Sequence, residues 1–182
     1  MVSFDAGFLS LVLYPNAKPP LDPATKQLTA KVPERINALL EALDAARERV
    51  IIATPALAEF LILVGHQGSQ YLNDLNNFSN FYIRPFDLMA AVEVASLELN
   101  ARKAGSKRLP ADADAPWQKI KVDRQIVAIA KLHQAHTIYS DDNHVRSIAE
   151  DLGIKVISCW ELDLPPSKTP LLEASGKPFD LK

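Results

Sequence analysis

Five short apolar runs alternate with segments of helical period, and that alternation confines the chain to a parallel α/β arrangement. The runs are Val2–Phe4, Val50–Ala53, residues 81–83, Thr137–Tyr139 and residues 154–157. Between them, Ile36, Leu39, Leu40, Leu43 and Ala46 recur at helical spacing and predict a helix over 33–49. Thr54-Pro55 reads as a helix start, a capping hydroxyl before a first-turn proline, with Leu57, Phe60, Leu61 and Val64 behind it. Leu88, Ala91, Val92, Ala95 and Leu99 define a long helix to about residue 103. Asp123 opens a helix carrying Ile126, Ile129, Ala130 and His133, and 145–152 forms the last. Strands separated by helices of this length form a parallel sheet covered on both faces. The proline-rich stretch 16–33 and the stretch 104–117 read as loops, and the asparagine-rich 65–80 as a loop with room for one helical turn.

The chain has 182 residues, enough for one well-buried domain over 1–161, with 162–182 as a proline-rich tail on its surface. The hydrophobic share of 48% and charged share of 23% are those of an ordinary soluble protein. A net charge of -2 argues against wholesale electrostatic binding of nucleic acid and leaves room for a local basic patch. A single cysteine, Cys159, rules out an internal disulfide and fits a reducing compartment. The apolar run 8–14 follows Asp5 rather than a basic segment, so no secretory signal is expected. No stretch approaches the roughly 18 uninterrupted apolar residues of a membrane span. The expected location is the cytoplasm.

Four acids stand where a solvated face does not explain them. Asp5 follows the first strand, and Asp142 follows the strand Thr137–Tyr139 with Ser140 between. Glu59 and Asp123 read as first-turn helix residues, where the positive end of the helix dipole favours an ionised acid. Parallel strands place their carboxyl ends along one edge, so acids remote in sequence can meet there. Together they repel unless a cation sits among them. A divalent ion would also polarise a phosphate and activate water. Taken singly, Asp123 or Asp142 is equally well explained as a plain helix N-cap, and Glu59 as a solvent-facing helix residue.

These pieces resemble the PIN-domain nucleases, the family that includes the VapC-like toxins. The similarity lies in Ser3-Phe4-Asp5 before an apolar helix, Thr54-Pro55-Ala56-Leu57-Ala58-Glu59-Phe60, Asp123-Arg124-Gln125-Ile126-Val127-Ala128-Ile129-Ala130, and Ser140-Asp141-Asp142. It implies a three-layer α/β/α fold with a central parallel sheet in strand order 3-2-1-4-5, and cleavage of RNA supported by Mg2+ or Mn2+. It further implies Asp5, Glu59, Asp123 and Asp142 as the catalytic acids, with Asp5, Asp123 and Asp142 on the metal. Glu59 would be a ligand or water-positioning base, and Ser140 takes the family's Thr/Ser place. An antitoxin partner and a homodimer are further implications. Many relatives carry a second acid two residues after the Asp142 position and then an aromatic, whereas His144 and Val145 stand here. Asp141 is a neighbouring carboxylate able to substitute in part near the metal, and His144 is a candidate for proton transfer or phosphate contact.

Lys103, Lys107, Arg108, Lys119, Lys121 and Arg124 are candidate phosphate contacts around the acids, and an ordinary solvated loop explains them equally well. Trp117 suits stacking on a base or anchoring the loop. His133 and His136 have a zinc-compatible spacing that a helix C-terminus also favours. Two other functions compete with the nuclease: a catalytically silent binding or regulatory module on the same fold, and a phosphatase with Asp5 as nucleophile. The phosphatase needs a second Asp two residues on, and Gly7 stands there.

Overall fold

The computed structural model describes residues 1–103 and 116–164. In chain order the elements are β1 (Val2–Phe4), α1 (Ala6–Leu13), α2 (Val32–Ala45), β2 (Val50–Ala53), α3 (Thr54–Val64), a 3₁₀ turn (Gly65–Gln67) and α4 (Gly68–Asn77). They continue with β3 (Phe81–Arg84), α5 (Leu88–Lys103), α6 (Trp117–Leu132), β4 (Thr137–Tyr139), α7 (Asn143–Asp151) and β5 (Lys155–Ile157). The five strands form one sheet in the order β3-β2-β1-β4-β5, every pair parallel, as expected. Phe4 pairs with Ile52 on one side and Tyr139 on the other, so β1 and β4 end level with each other. From β1 the chain builds outward to β3, then returns to the opposite side of β1 at β4. That reversal creates the crevice at the carboxyl edge where α/β proteins bind ligands.

The pleat sorts side chains between two helical layers. Phe4, Val50 and Tyr139 face α1 and α2, where Phe8, Val32 and Ile36 close the core. Ile51, Ile138 and Val156 face the other way, against Ile126 and Ile129 of α6 and Val145 and Ile148 of α7. Phe4, Phe8 and Tyr139 form a ring cluster with centroids 5.1 to 5.5 Å apart, directly beneath the residue that follows β1. Its rigidity fixes the start of α1.

Three helices end in the same way and hand the chain straight to a strand. After α2 the Glu48 amide donates to the Leu43 carbonyl, after α6 the Ala135 amide to Ala130, and after α7 the Ile154 amide to Ala149. Each is a Schellman turn, and the left-handed residue it requires is Arg47, Gln134 or Gly153. Only the last is the residue suited to positive φ. Gln134→Gly is therefore expected to raise stability by about 0.5–1 kcal/mol, and Gly153→Ala to lower it by about 1 kcal/mol. An added Cβ at Gly153 meets nothing within 4 Å, so the cost there is backbone strain alone. Urea unfolding measures both, and a less stable Gln134→Gly protein would contradict the assignment.

The structure corrects the sequence reading in several places. The helix expected over 33–49 stops at Ala45, because the Arg47 turn closes it. The expected loop 65–80 contains a full helix, α4, held by Tyr71, Leu72 and Leu75 packing against Phe60. The helix expected to open at Asp123 begins at Trp117, immediately after Pro116, and Ile120 is fully buried on it. Asp123 therefore lies in the second turn of α6, and Glu59, the sixth residue of α3 counted from Thr54, also lies in a second turn, so the helix dipole does not favour either acid as expected. Within the expected tail, Leu162 is buried against the Phe4 and Phe8 cluster, while residues 165–182 lie outside the described ones. Among the described residues no helix is long and apolar enough to cross a membrane.

Candidate metal centre

Asp5 leaves β1 and caps α1. Its Oδ1 accepts the Phe8 amide at 2.6 Å, and its Oδ2 accepts the Ser140 hydroxyl. Only 5% of the residue is exposed, and burial pushes its carboxyl up to about 7. The Ser140 and Phe8 hydrogen bonds oppose that rise, and the charges of Asp141 and Asp142 add to it. Ser140, fully buried at the end of β4, also accepts the Asp142 amide at 3.0 Å. One hydroxyl thus ties Asp5 to the turn carrying Asp142. This follows from the register that sets Phe4 beside Tyr139.

Asp142 caps α7 through the His144 amide, 2.7 Å from its Oδ1. Burial would raise its pKa, but the Lys119 ammonium on its Oδ2 and the His144 amide outweigh this and hold it below the usual range. Asp123 is 5% exposed, and burial raises it to about 6, with Lys119 opposing and Asp142 and Glu59 reinforcing. Glu59 reaches the same cavity from α3 and is the exposed member of the four. Desolvation still raises its pKa. Asp5, Glu59, Asp123, Asp141 and Asp142 all line one cavity of about 240 Å³, together with Lys119.

Asp141 points one oxygen away from its neighbours, accepting the Cys159 amide at 2.6 Å, and burial raises its pKa. His144 contributes its backbone amide, and its ring is not part of the cavity wall. Of the basic candidates among the described residues, Lys119 alone lines the cavity. Its Nζ lies 3.2 Å from Asp123 Oδ2 and also contacts Asp142 Oδ2. Burial works against its charge, but the two carboxylates outweigh it and raise its pKa. Arg124 is 3% exposed and paired with Glu98 of α5, a position inside the fold rather than on a phosphate-facing surface. Lys121 is exposed and lies over the Trp117 ring at 5.7 Å, so Trp117 belongs to the first turn of α6 rather than to a loop. Lys103 is exposed at the end of α5, and Lys107 and Arg108 lie outside the described residues. His136 bonds Thr137 Oγ1 at 2.9 Å and Glu48 at 3.2 Å, while His133 forms the C-cap of α6.

The sequence reading placed Lys119 on a phosphate-binding loop and missed its place among the acids. Its signal was the four-residue spacing to Asp123, which sets both on one helix face once α6 is known to start at Trp117. The donor set is entirely oxygen, which suits Mg2+ or Mn2+. As the side chains lie, no three acidic, histidine or cysteine groups among the described residues stand close enough to grip one ion. Lys119 bonds the oxygens of Asp123 and Asp142 that such an ion would need.

No protein-family model matches the sequence, and no curated protein matches it significantly. Solved structures do. A chain of the DNA-bound VapBC from Salmonella typhimurium superposes with a TM-score of 0.53 at 14% identity, over 87% of this chain and 97% of that one. A chain of VapBC2 from Rickettsia felis, bound to a DNA fragment from its promoter, gives 0.53 at 15% identity, over 87% and 98%. At such identity the likeness speaks to the fold, which is PIN-like, the class the sequence resembles.

Proposed function

We propose that the chain is a metal-dependent endoribonuclease that hydrolyses RNA phosphodiester bonds. In this reading Asp5, Asp123 and Asp142 hold Mg2+ or Mn2+, and Glu59 is a further ligand or positions water. One observation carries it: four acids from distant segments meet in one small cavity beside the switch point of the sheet. Burial and mutual repulsion already pull protons onto Asp5 and Asp123 there. A hard cation relieves that repulsion.

When bound, the ion supplies Lewis-acid polarisation of a phosphoryl oxygen and offsets the charge of the acids. The chain's own residues do the rest. Ser140 holds the Asp5 carboxylate and the turn before α7 in fixed relation. Glu59, on the exposed side of the cavity, accepts a proton from the attacking water. Lys119, Lys121 and Lys103, with Lys107 and Arg108, offer charge to the RNA backbone, and nothing in this set reads a base.

The same reading makes one PIN-like domain of residues 1–161, acting in the cytoplasm as the toxin of a toxin–antitoxin pair. The likeness to chains of VapBC assemblies supports this. An antitoxin and a second copy of the chain are the proposed protein partners. Ile62 and Leu63 on α3, and Leu88, Met89 and Val92 on α5, leave apolar surface for them.

Cleavage of single-stranded RNA is expected with Mg2+ or Mn2+, is expected to stop on chelation, and should return when Mn2+ is restored. Cleavage that resists chelation would contradict the reading. A specific observation favours a second one, the catalytically silent module: an ammonium already neutralises two of the acids. Absence of cleavage with either ion would favour that alternative.

A further inference from the structure

Lys119 is placed to do more than meet a phosphate. Its ammonium bonds the Oδ2 atoms of both Asp123 and Asp142, the carboxylates assigned above to the metal. The acids themselves are anchored. Asp5 is fixed by Phe8 and Ser140, Asp142 by the His144 amide, and Asp123 is buried on a helix whose next turn lies in the core. Lys119 has a flexible stem of four methylenes and is 39% exposed, so its ammonium can move into solvent without disturbing the fold. Metal and ammonium compete for the same oxygens, since like charges brought this close repel strongly in a partly desolvated cavity. Of the two, the ammonium on its flexible stem is the one free to move aside.

We propose that Lys119 is an internal counter-ion that holds the acids together in the metal-free protein and is exchanged for the divalent ion on loading. It thereby sets how much metal the site needs. This inference rests on the metal-binding reading of the cavity. It also accounts for an assembled cluster that nevertheless offers no ready three-ligand grip.

The test is calorimetric titration with Mn2+ of wild type, Lys119→Met, Lys119→Arg and Lys121→Met at one pH and ionic strength. Lys121 is exposed on the same helix and carries the same charge without touching the acids, so it controls for general electrostatics. Lys119→Met is expected to bind Mn2+ about tenfold more tightly. Lys119→Arg should stay near wild type, and Lys121→Met within about twofold of it. Lys119→Met should also unfold a few degrees lower than wild type in chelator, with the gap closing in saturating Mn2+. Equal or weaker Mn2+ binding by Lys119→Met overturns the exchange, as does equal tightening by Lys121→Met. If wild type and Lys119→Met bind Mn2+ equally well, the metal site survives and only the exchange falls. If neither wild type nor Lys119→Met binds Mn2+, the metal-binding reading falls with it.

Discussion

Asp5→Asn is expected to abolish RNA cleavage while making the metal-free protein more stable. The two effects share one cause. Asp5 is a buried carboxylate whose partners are a hydroxyl and an amide, and burial lifts its pKa to about 7 from an ordinary 3.8. The folded protein therefore binds a proton that the unfolded chain releases near 3.8. The resulting stability is fully present below the unfolded pKa and is lost as pH rises through about 7. Above that pH the ionised side chain works against folding unless a cation joins it. Asparagine keeps the Phe8 cap, since it is as good an N-cap as aspartate, and it never ionises. The variant should melt about 5 °C above wild type in chelator at alkaline pH, and no higher near pH 4. It should also lose cleavage by a factor on the order of a thousand, because it forfeits a charged ligand. Retained cleavage would count against the assignment, and a lower melting temperature at alkaline pH would count against the burial argument.

The second large effect is on metal loading. Asp5 titrates near 7 and Asp123 near 6, and both must shed protons to bind a cation well. Asp142 is already ionised lower, and Lys119, with its raised pKa, stays charged throughout. Mn2+ affinity should thus climb about 100-fold between about pH 5.5 and pH 7.5 and level off above. In Asp5→Asn most of that slope should disappear, leaving the weaker rise due to Asp123. Calorimetry across this range reads the slope directly. A flat profile in wild type would mean that these protons are not exchanged for metal.

How much of this was legible beforehand differs from residue to residue. The strands and the positions of Asp5, Ser140 and Asp142 were, because each of these residues follows an apolar run too short to be anything but a strand, whereas the strand order came from the family resemblance. Parallel pairing then forces their ends level. Glu59 and Asp123 stood out as acids near helix starts, the resemblance gave them a role, and both were set in the right helices but one turn too early. The reason is physical. For Asp123, the first turn of α6 offers only Trp117 and Ile120 as apolar marks, and Gln118 and Lys119 beside them read as loop. That same misplacement hid Lys119, whose pairing with Asp123 is visible only when both are on one helix. Helix α4 was obscured by its glycine and asparagine content, since propensity argued for a loop while Tyr71, Leu72 and Leu75 gained enough burial to override it. The burial of Arg124 against Glu98 was beyond reach, because it depends on how α5 crosses α6.

The central claim is that carboxylates from separate segments converge on one divalent ion. Anomalous scattering from crystals grown with Mn2+ tests it most directly. The account predicts one strong peak in the cavity, within about 2.0–2.4 Å of carboxylate oxygens of Asp5, Asp123 and Asp142, with the Lys119 ammonium moved off the last two. No peak in that cavity at saturating Mn2+, with Lys119 still bonded to Asp123 and Asp142, would contradict it.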